Sequence, residues 1–257
     1  MPVRLRFPLN GPVPRTPHVH AAGVYRLVLD WLEAGQAGVS KPLHDANQVK
    51  PISIGPVWSG ADGSYFDVGV LVDHLLVPLL AGAARASVVC LGEQQYRLCP
   101  AQVIEHDSWE GMMSGDPRTE WQFELRSPTA HHPAGPVRRT VVLPEPALYF
   151  GSWLGRWNLC SVNMLDPALL EIVRTGVEVA SCDGRTHTIG LPRGHKIGTP
   201  HKPAQFTGFV GSVRFRAIPA AKLPADSLRV LTALARFSTF CGTGVDTMRG
   251  MGETGLR

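Results

Sequence analysis

The chain has 257 residues, of which 44% are hydrophobic and 18% are charged, and its mean hydropathy is close to zero. This length allows one large domain or two domains of roughly 130 residues, each with its own core. The longest apolar stretch, residues 68–84, is interrupted by charged residues and Pro and is too short to span a bilayer. The N-terminal residues lack the pattern of a signal peptide, so we expect a cytoplasmic protein without a membrane partner.

Positive charge is concentrated in the second half of the chain. The net charge is +4, but up to residue 128 there are 10 Lys/Arg against 13 Asp/Glu, whereas beyond it there are 15 against 8. Residues 184–225 contain no acidic residue at all. Their basic side chains are Arg185, Arg193, Lys196, Lys202, Arg214, Arg216 and Lys222. Such a segment favours a polyanion as partner, and a solvated basic loop is the alternative.

The first half predicts one ferredoxin-like unit. Apolar residues recur at helical spacing at Val24, Val28 and Trp31, which predicts a helix that ends near Gly35. The other predicted elements are strands over 1–7, 51–56 and 64–72, a helix over 73–86, and strands over 87–90, 97–106 and 119–125. This order of strands and helices is that of a split βαβ, ferredoxin-like fold.

A second unit of similar order follows a linker. The segment from Ser127 to Pro136 is rich in Pro and small residues and coincides with the change in charge, so we predict a linker over 129–139. The linker separates an N-terminal domain, 1–128, from a C-terminal domain, 140–257. The predicted elements of the latter are strands over 139–143, 176–181, 186–191 and 208–217 and helices over 147–159 and 226–240. The predicted fold class is α+β, with two tandem ferredoxin-like (RRM-like) domains.

Several catalytic signatures are absent from the sequence. It has no P-loop, no His-Glu-x-x-His, no Gly-x-Ser-x-Gly and no deaminase-type His-x-Glu with Pro-Cys-x-x-Cys. The five cysteines include no Cys-x-x-Cys pair, which argues against a structural zinc site. These absences disfavour P-loop, zincin and α/β-hydrolase chemistry.

The segment after the last predicted helix is rich in glycine. Glycines stand at positions 242, 244, 250, 252 and 255, with Arg249 among them. Glycine permits close backbone approach, so the amides of Gly242, Gly244, Gly250 and Gly252 are candidates to bind phosphate oxygens. A dinucleotide-binding loop is excluded because no helix and distal acid follow. A flexible tail is the alternative reading.

Taken together, these motifs resemble a known family. The glycine-rich segment follows the 206–215 strand, and the chain also has Leu43-His44, Lys50-Pro-Ile-Ser-Ile-Gly-Pro and Phe123-Glu-Leu-Arg-Ser-Pro-Thr. The set resembles the CRISPR-associated endoribonucleases of the Cas-six type, within the RAMP superfamily, from about residue 18 onward.

The resemblance implies a cofactor-free enzyme that cleaves CRISPR precursor RNA within its repeats. In that family the 2′-OH of the RNA is the nucleophile, the reaction needs no metal, and the products carry a 2′,3′-cyclic phosphate and a 5′-hydroxyl. Repeat RNA is the implied partner, with a CRISPR effector complex and a homodimer as further ones. Two rival functions stay open: a catalytically inactive RAMP subunit that only holds guide RNA, and an unrelated metal-dependent nucleic-acid enzyme.

Such a reaction needs an acid, a base and cations near the phosphate. The resemblance places a catalytic pair at His44 and Lys50, with His44 as general acid or base, because an imidazole is available in both forms near neutrality. Lys50 would stabilise charge and Tyr25 would orient the reacting groups. His18 and His20, just before the first helix, are reserve candidates. For each of the first three, a purely structural or solvated role is the alternative.

The resemblance also predicts which side chains hold RNA. The expected contacts, phosphate contacts for the most part, come from the basic and glycine-rich segments. They are Arg185, Arg193, Lys196, Lys202, Arg214, Arg216, Gly242, Gly244, Arg249, Gly250 and Gly252.

Overall fold

The computed structural model describes residues 1–18, 20–45, 50–61, 63–133, 135–137, 139–191 and 204–257, and the structural statements below concern these residues. The strands are β1 Val3–Asn10, β2 Ile52–Ile54, β3 Trp58–Gly60, β4 Gly63–Val70, β5 Val88–Leu91, β6 Gln94–Leu98, β7 Gln102–His106, β8 Glu120–Thr129, β9 Val177–Leu191, β10 Ala204–Ala217 and β11 Thr254–Leu256. The helices are α1 Ala21–Gly35, α2 Ser40–Asp45, α3 Asp73–Ala83, α4 Trp109–Met113, α5 Pro146–Cys160, α6 Leu169–Gly176 and α7 Ala225–Cys241. None of these helices combines the length and apolar character that a membrane crossing requires.

The first sheet is built around β1. Its strands run in the order β2-β4-β1-β6-β5, with β3 beside β4 and β7 beside β1, and the pairs are antiparallel. Alternation along β1 buries Val3, Leu5, Phe7 and Leu9 in one core with α1 and α3. The backbones of the two helices are in close contact: a side chain at Gly82 of α3 would overlap the carbonyl group of Trp31 in α1.

The second sheet has the order β11-β8-β10-β9 and is also antiparallel. Trp121, Phe123 and Leu125 alternate along β8 and pack against the buried faces of α5 and α7. Both halves therefore have the connection β-α-β-β-α-β and the strand order of a ferredoxin-like fold. The predicted fold class, two ferredoxin-like units of α+β type, is confirmed.

Several elements differ from their prediction. Strand β8 lies in the second sheet, although the sequence analysis placed it in the first domain, because alternation identifies a strand but not its partner. We therefore propose that the N-terminal domain ends before Glu120. The predicted strands 176–181 and 186–191 form the single strand β9, since pairing with β10 continues through Gly184. Residues 139–143 form no strand but one isolated bridge, between His131 and Val141.

The glycine-rich segment joins the two halves. The amide of Gly250 donates to the carbonyl of Ile54 in β2, 3.1 Å away. Glu253 accepts from the Arg4 guanidinium of β1 at 3.0 Å and from the Trp58 indole of β3 at 2.6 Å. A short 3₁₀ helix, Thr247–Arg249, packs against α1 and β2. Together with contacts from α7, this segment therefore joins the second half to the first sheet.

Candidate active site

Three of the predicted catalytic residues lie together beside α1. Tyr25 is on the partly exposed side of α1, and α2 carries His44 back towards it. The Tyr25 hydroxyl lies 3.0 Å from Nδ1 of His44. Lys50 Nζ lies 3.4 Å from the carbonyl oxygen of His44 and 6.0 Å from the centre of the Tyr25 ring. The structure therefore brings an imidazole, a phenol and an ammonium into one cluster.

Burial favours the protonated form of the Tyr25 hydroxyl in this cluster. Burial raises the pKa of Tyr25 above its ordinary value, an effect that the positive charge of Arg249 opposes. A protonated phenol can donate its hydrogen to Nδ1, which in the neutral imidazole puts the ring proton on Nε2. The contact therefore orients the His44 ring through Nδ1.

Arg249 adds a second cation to this region. The 3₁₀ helix that carries it packs against α1, and more than half of the Arg249 side chain is exposed. Its guanidinium lies 3.7 Å from the Asp246 carboxylate, as an exposed ion pair. Exposed pairs of this kind are weak, so the guanidinium is free to exchange Asp246 for a phosphate.

The reserve histidines lie in a different environment. His20 is buried, and its Nε2 lies 3.0 Å from both Gln94 Oε1 and Tyr96 Oη. His18 is also buried, and this burial, with a smaller effect of His187, lowers the pKa of His18 to about 4. Neither ring contacts the Tyr25–His44 pair in the structure, and a catalytic role for either stays a prediction.

The glycine-rich segment is an ordered part of the core. Its amides already donate to protein acceptors: Gly242 to Ser238 O, Gly244 to Ser152 Oγ, Gly250 to Ile54 O and Gly252 to Pro128 O. All four glycines are buried. The expectation of a flexible tail is therefore wrong, and these amides are not available to phosphate in this conformation. Contact of the four glycines with RNA stays a prediction, and their backbone amides do not support it because each already donates to a protein acceptor.

Arg156 holds this segment in place. Its position off the aromatic face of α5 predicts a side chain that is free to meet solvent or phosphate, and this prediction is wrong. The buried guanidinium donates to the carbonyl oxygens of Cys241, Gly242 and Gly244, over distances of 2.7 to 3.0 Å. It also donates to Thr247 Oγ1 at 3.1 Å. The one signal in the sequence is a single charge on an otherwise apolar helix, between Leu154 and Trp157.

The predicted basic residues divide into two groups. Arg214 and Arg216 are ion-paired across the second sheet with Glu120 and Glu178, at 3.8 Å and 2.6 Å. Arg185 is exposed on β9 and lines a cleft with Trp58 of the first sheet. The predicted contacts Arg193, Lys196 and Lys202 lie outside the described residues.

Comparison with known proteins identifies the family. The family model described as CRISPR-associated endoribonuclease Cas6 matches residues 123–254, slightly more than half of the chain. No curated protein matches the sequence. The fold is similar to a product complex of Cas6 (TTHB231), with 24% identity, full coverage of both chains and a TM-score of 0.84.

Two further structures have the same fold. Thermus thermophilus Cas6 (TTHB231) has 23% identity and a TM-score of 0.73, with 100% of this chain and 98% of that chain covered. A Cas6-related protein from Pyrococcus furiosus has 10% identity and a TM-score of 0.68, with 100% and 99% covered. At these identities the likeness concerns the fold.

The two ferredoxin-like units define the class of fold to which this protein belongs. Within that class, the family match shows that the chain belongs to the CRISPR-associated endoribonucleases Cas6, and it is an RNA-cleaving enzyme. The predicted resemblance is thereby confirmed.

Proposed function

We propose that this protein cleaves CRISPR precursor RNA within its repeats by attack of a ribose 2′-OH on the adjacent phosphate, without a metal ion. The products are a 2′,3′-cyclic phosphate and a 5′-hydroxyl. The observation that carries the proposal is the cluster of Tyr25, His44 and Lys50, with 3.0 Å between the phenol oxygen and His44 Nδ1. It supplies a proton carrier and a cation at one place on the surface.

Each side chain has a distinct task in this reaction. The His44 Nε2 atom moves a proton, either from the attacking 2′-OH or to the departing 5′-oxygen. Tyr25 is a positioning residue that holds the imidazole through Nδ1. Lys50 and Arg249 offset the negative charge that develops on the phosphate oxygens.

Repeat RNA is the proposed substrate. Two similar structures support this choice, because one is a Cas6 product complex and the other is a Cas6 substrate mimic complex. The exposed Arg185, which lines the cleft, and the exposed Arg249 provide cations for a polyanion. A CRISPR effector complex and a second copy of the chain are further proposed partners.

The test is cleavage of labelled repeat RNA, transcribed from the CRISPR array of the source genome, in excess EDTA. The matched control is the same RNA with a single deoxyribose 5′ of the cut. We expect the all-ribose RNA to be cleaved, with a cyclic phosphate on its 5′ fragment, and the deoxyribose control RNA to stay intact. Cleavage of the deoxyribose strand, or loss of cleavage in EDTA, would contradict the mechanism. Tight binding without cleavage would favour the inactive RAMP subunit.

A further inference from the structure

A cleft separate from the His44 cluster lies between the two sheets. It has a volume of about 470 Å³ and is enclosed by the 16–18 segment, Trp58 and the exposed face of β8, β9 and β10. This volume lies in the range of roughly 300–1,000 Å³ that is usual for small-molecule sites. The apolar residues of its lining are Pro17, Trp58, Pro128, Ile189 and Val210.

Two guanidinium groups stand at this apolar cleft. Arg126 of β8 and Arg185 of β9 both line it, and Arg185 stands opposite Val210 of β10 in the strand register. Among the described residues, no carboxylate lies within ion-pair distance of Arg185. Arg126 lies 3.7 Å from Glu253, but that carboxylate also pairs with Arg4 at 3.0 Å. Among the residues that the structure describes, Arg185 therefore leaves positive charge at this cleft without a paired carboxylate.

Trp58 is fixed at the cleft by a short hydrogen bond. Its indole nitrogen donates to Glu253 Oε2 at 2.6 Å, while the ring forms part of the cleft wall. An immobilised aromatic ring loses little entropy when a planar group stacks on it. His18 lies in the same wall, and its buried Nε2 has no hydrogen-bond partner among the described residues.

We propose that this cleft binds one unpaired nucleotide of the substrate RNA, with its base against Trp58 and its phosphates against Arg126 and Arg185. The proposal rests on the proposed function only for its choice of RNA as the ligand. A nucleotide combines a flat apolar ring with a phosphate, which is the combination of groups that the cleft offers. A lone phosphate would leave the apolar walls unused, and a neutral apolar ligand would leave the guanidinium groups without partners.

The first experiment locates the nucleotide. The probe is fluorescein-labelled repeat RNA made uncleavable by a deoxyribose at the cut, together with a series in which one nucleotide at a time lacks its base. We expect one unpaired position at which loss of the base weakens binding by about 10-fold, as for one stacked base. Trp58→Ala removes this dependence, and Trp58→Phe, which keeps a ring, retains most of it.

The second experiment tests the charges with a matched control. Arg185 is exposed, so Arg185→Ala leaves folding unchanged; it weakens binding of every RNA in the series and lowers the salt slope by about one. Arg174→Ala is the control: this exposed arginine of α6 is paired with Glu171 at 3.0 Å, and its removal has little effect on RNA binding. The proposal is overturned if every abasic RNA binds equally, if Trp58→Ala keeps the wild-type profile while folded, or if Arg185→Ala binds as the wild type does.

These outcomes are independent of cleavage. If the protein binds with the predicted dependence on one base but does not cleave RNA, the proposal of the nucleotide cleft stands and the proposal of catalysis fails. If the protein cleaves RNA and its RNA binding does not depend on Trp58 or Arg185, the proposal of catalysis stands and the proposal of the nucleotide cleft fails.

Discussion

The hydroxyl of Tyr25 lies 3.0 Å from Nδ1 of His44, although 19 residues separate them in the chain. The contact depends on α2, a helix of six residues that turns the chain back after α1. The second ring nitrogen of His44, Nε2, does not take part in this contact. The local fold therefore anchors the His44 ring through one of its two nitrogens.

Replacement of His44 tests its role in proton transfer. We expect His44→Ala to lower the cleavage rate by roughly 100-fold or more, the usual contribution of general acid–base catalysis. Affinity for the deoxyribose-blocked repeat should stay within about twofold, since phosphate contacts dominate binding. His74→Ala, an exposed residue of α3, is the matched control for single-turnover assays. Wild-type rates in His44→Ala would move the assignment to His18 or His20.

Removal of one oxygen tests the positioning role of Tyr25. Tyr25→Phe keeps the ring beside Lys50 but loses the contact with His44 Nδ1. We expect kcat to fall by about 10-fold, as for the loss of one hydrogen bond, with KM unchanged. A variant in which KM rises and kcat stays constant would show that Tyr25 binds substrate instead.

A single added methyl group tests the rigidity of the glycine-rich segment. Gly252 has a φ of +67°, and a side chain there would overlap the carbonyl oxygen of Thr243. Gly252→Ala should lower the free energy of unfolding by at least about 3 kcal/mol in urea titrations. Gly38, with a φ of +85° and open space around it, is the control, and Gly38→Ala should cost only about 1 kcal/mol. Equal effects of the two substitutions would disprove close packing at Gly252.

Acid should destabilise the protein through His131. Burial, together with the positive charge of Arg156, lowers the pKa of His131 to about 4. An unfolded histidine titrates near 6.5, so between these values the unfolded state binds more protons and the free energy of unfolding falls as the pH falls. The loss is at most about 1.4 kcal/mol per pH unit for one histidine, and the buried His18 adds a similar loss.

Urea titrations between pH 6.5 and 5 measure this dependence. His131→Gln cannot take up the proton, so the stability of this variant should vary less with pH than that of the wild type. His74→Gln changes an exposed histidine of α3 that does not affect the pKa of His131 and should leave the dependence unchanged. A pH dependence in His131→Gln equal to that of the wild type would refute the assignment.

The sequence predicts local elements of this fold better than their partners. Alternation in β1 and helical spacing in α1 are local properties, and both elements form as predicted. The sheet to which β8 belongs depends on packing of Trp121 and Phe123 against helices that come later in the chain. Gly184 resembles a turn residue in the sequence, but its pairing with Gly211 of β10 keeps β9 continuous.

In the candidate site, too, the sequence predicts some residues but not the partners of the buried ones. The resemblance selects Tyr25, His44 and Lys50, and the structure places them together. Arg156 and Trp58 were missed because their partners, Cys241 to Thr247 and Glu253, are distant in the chain. The choice of partner for a buried polar group depends on tertiary structure, which no local pattern records.

The segment that contains Gly250 and Glu253 has a consequence for how the protein is made. Contacts from this segment reach β1, β2 and β3 of the first sheet, and β11 completes the second sheet. A nascent chain that has not yet emerged beyond Cys241 lacks both the strand and these contacts. Strand β11 and these contacts therefore form only after translation has passed this point, and a chain released earlier has neither an anchored Trp58 nor Arg249 to offer to a transcript.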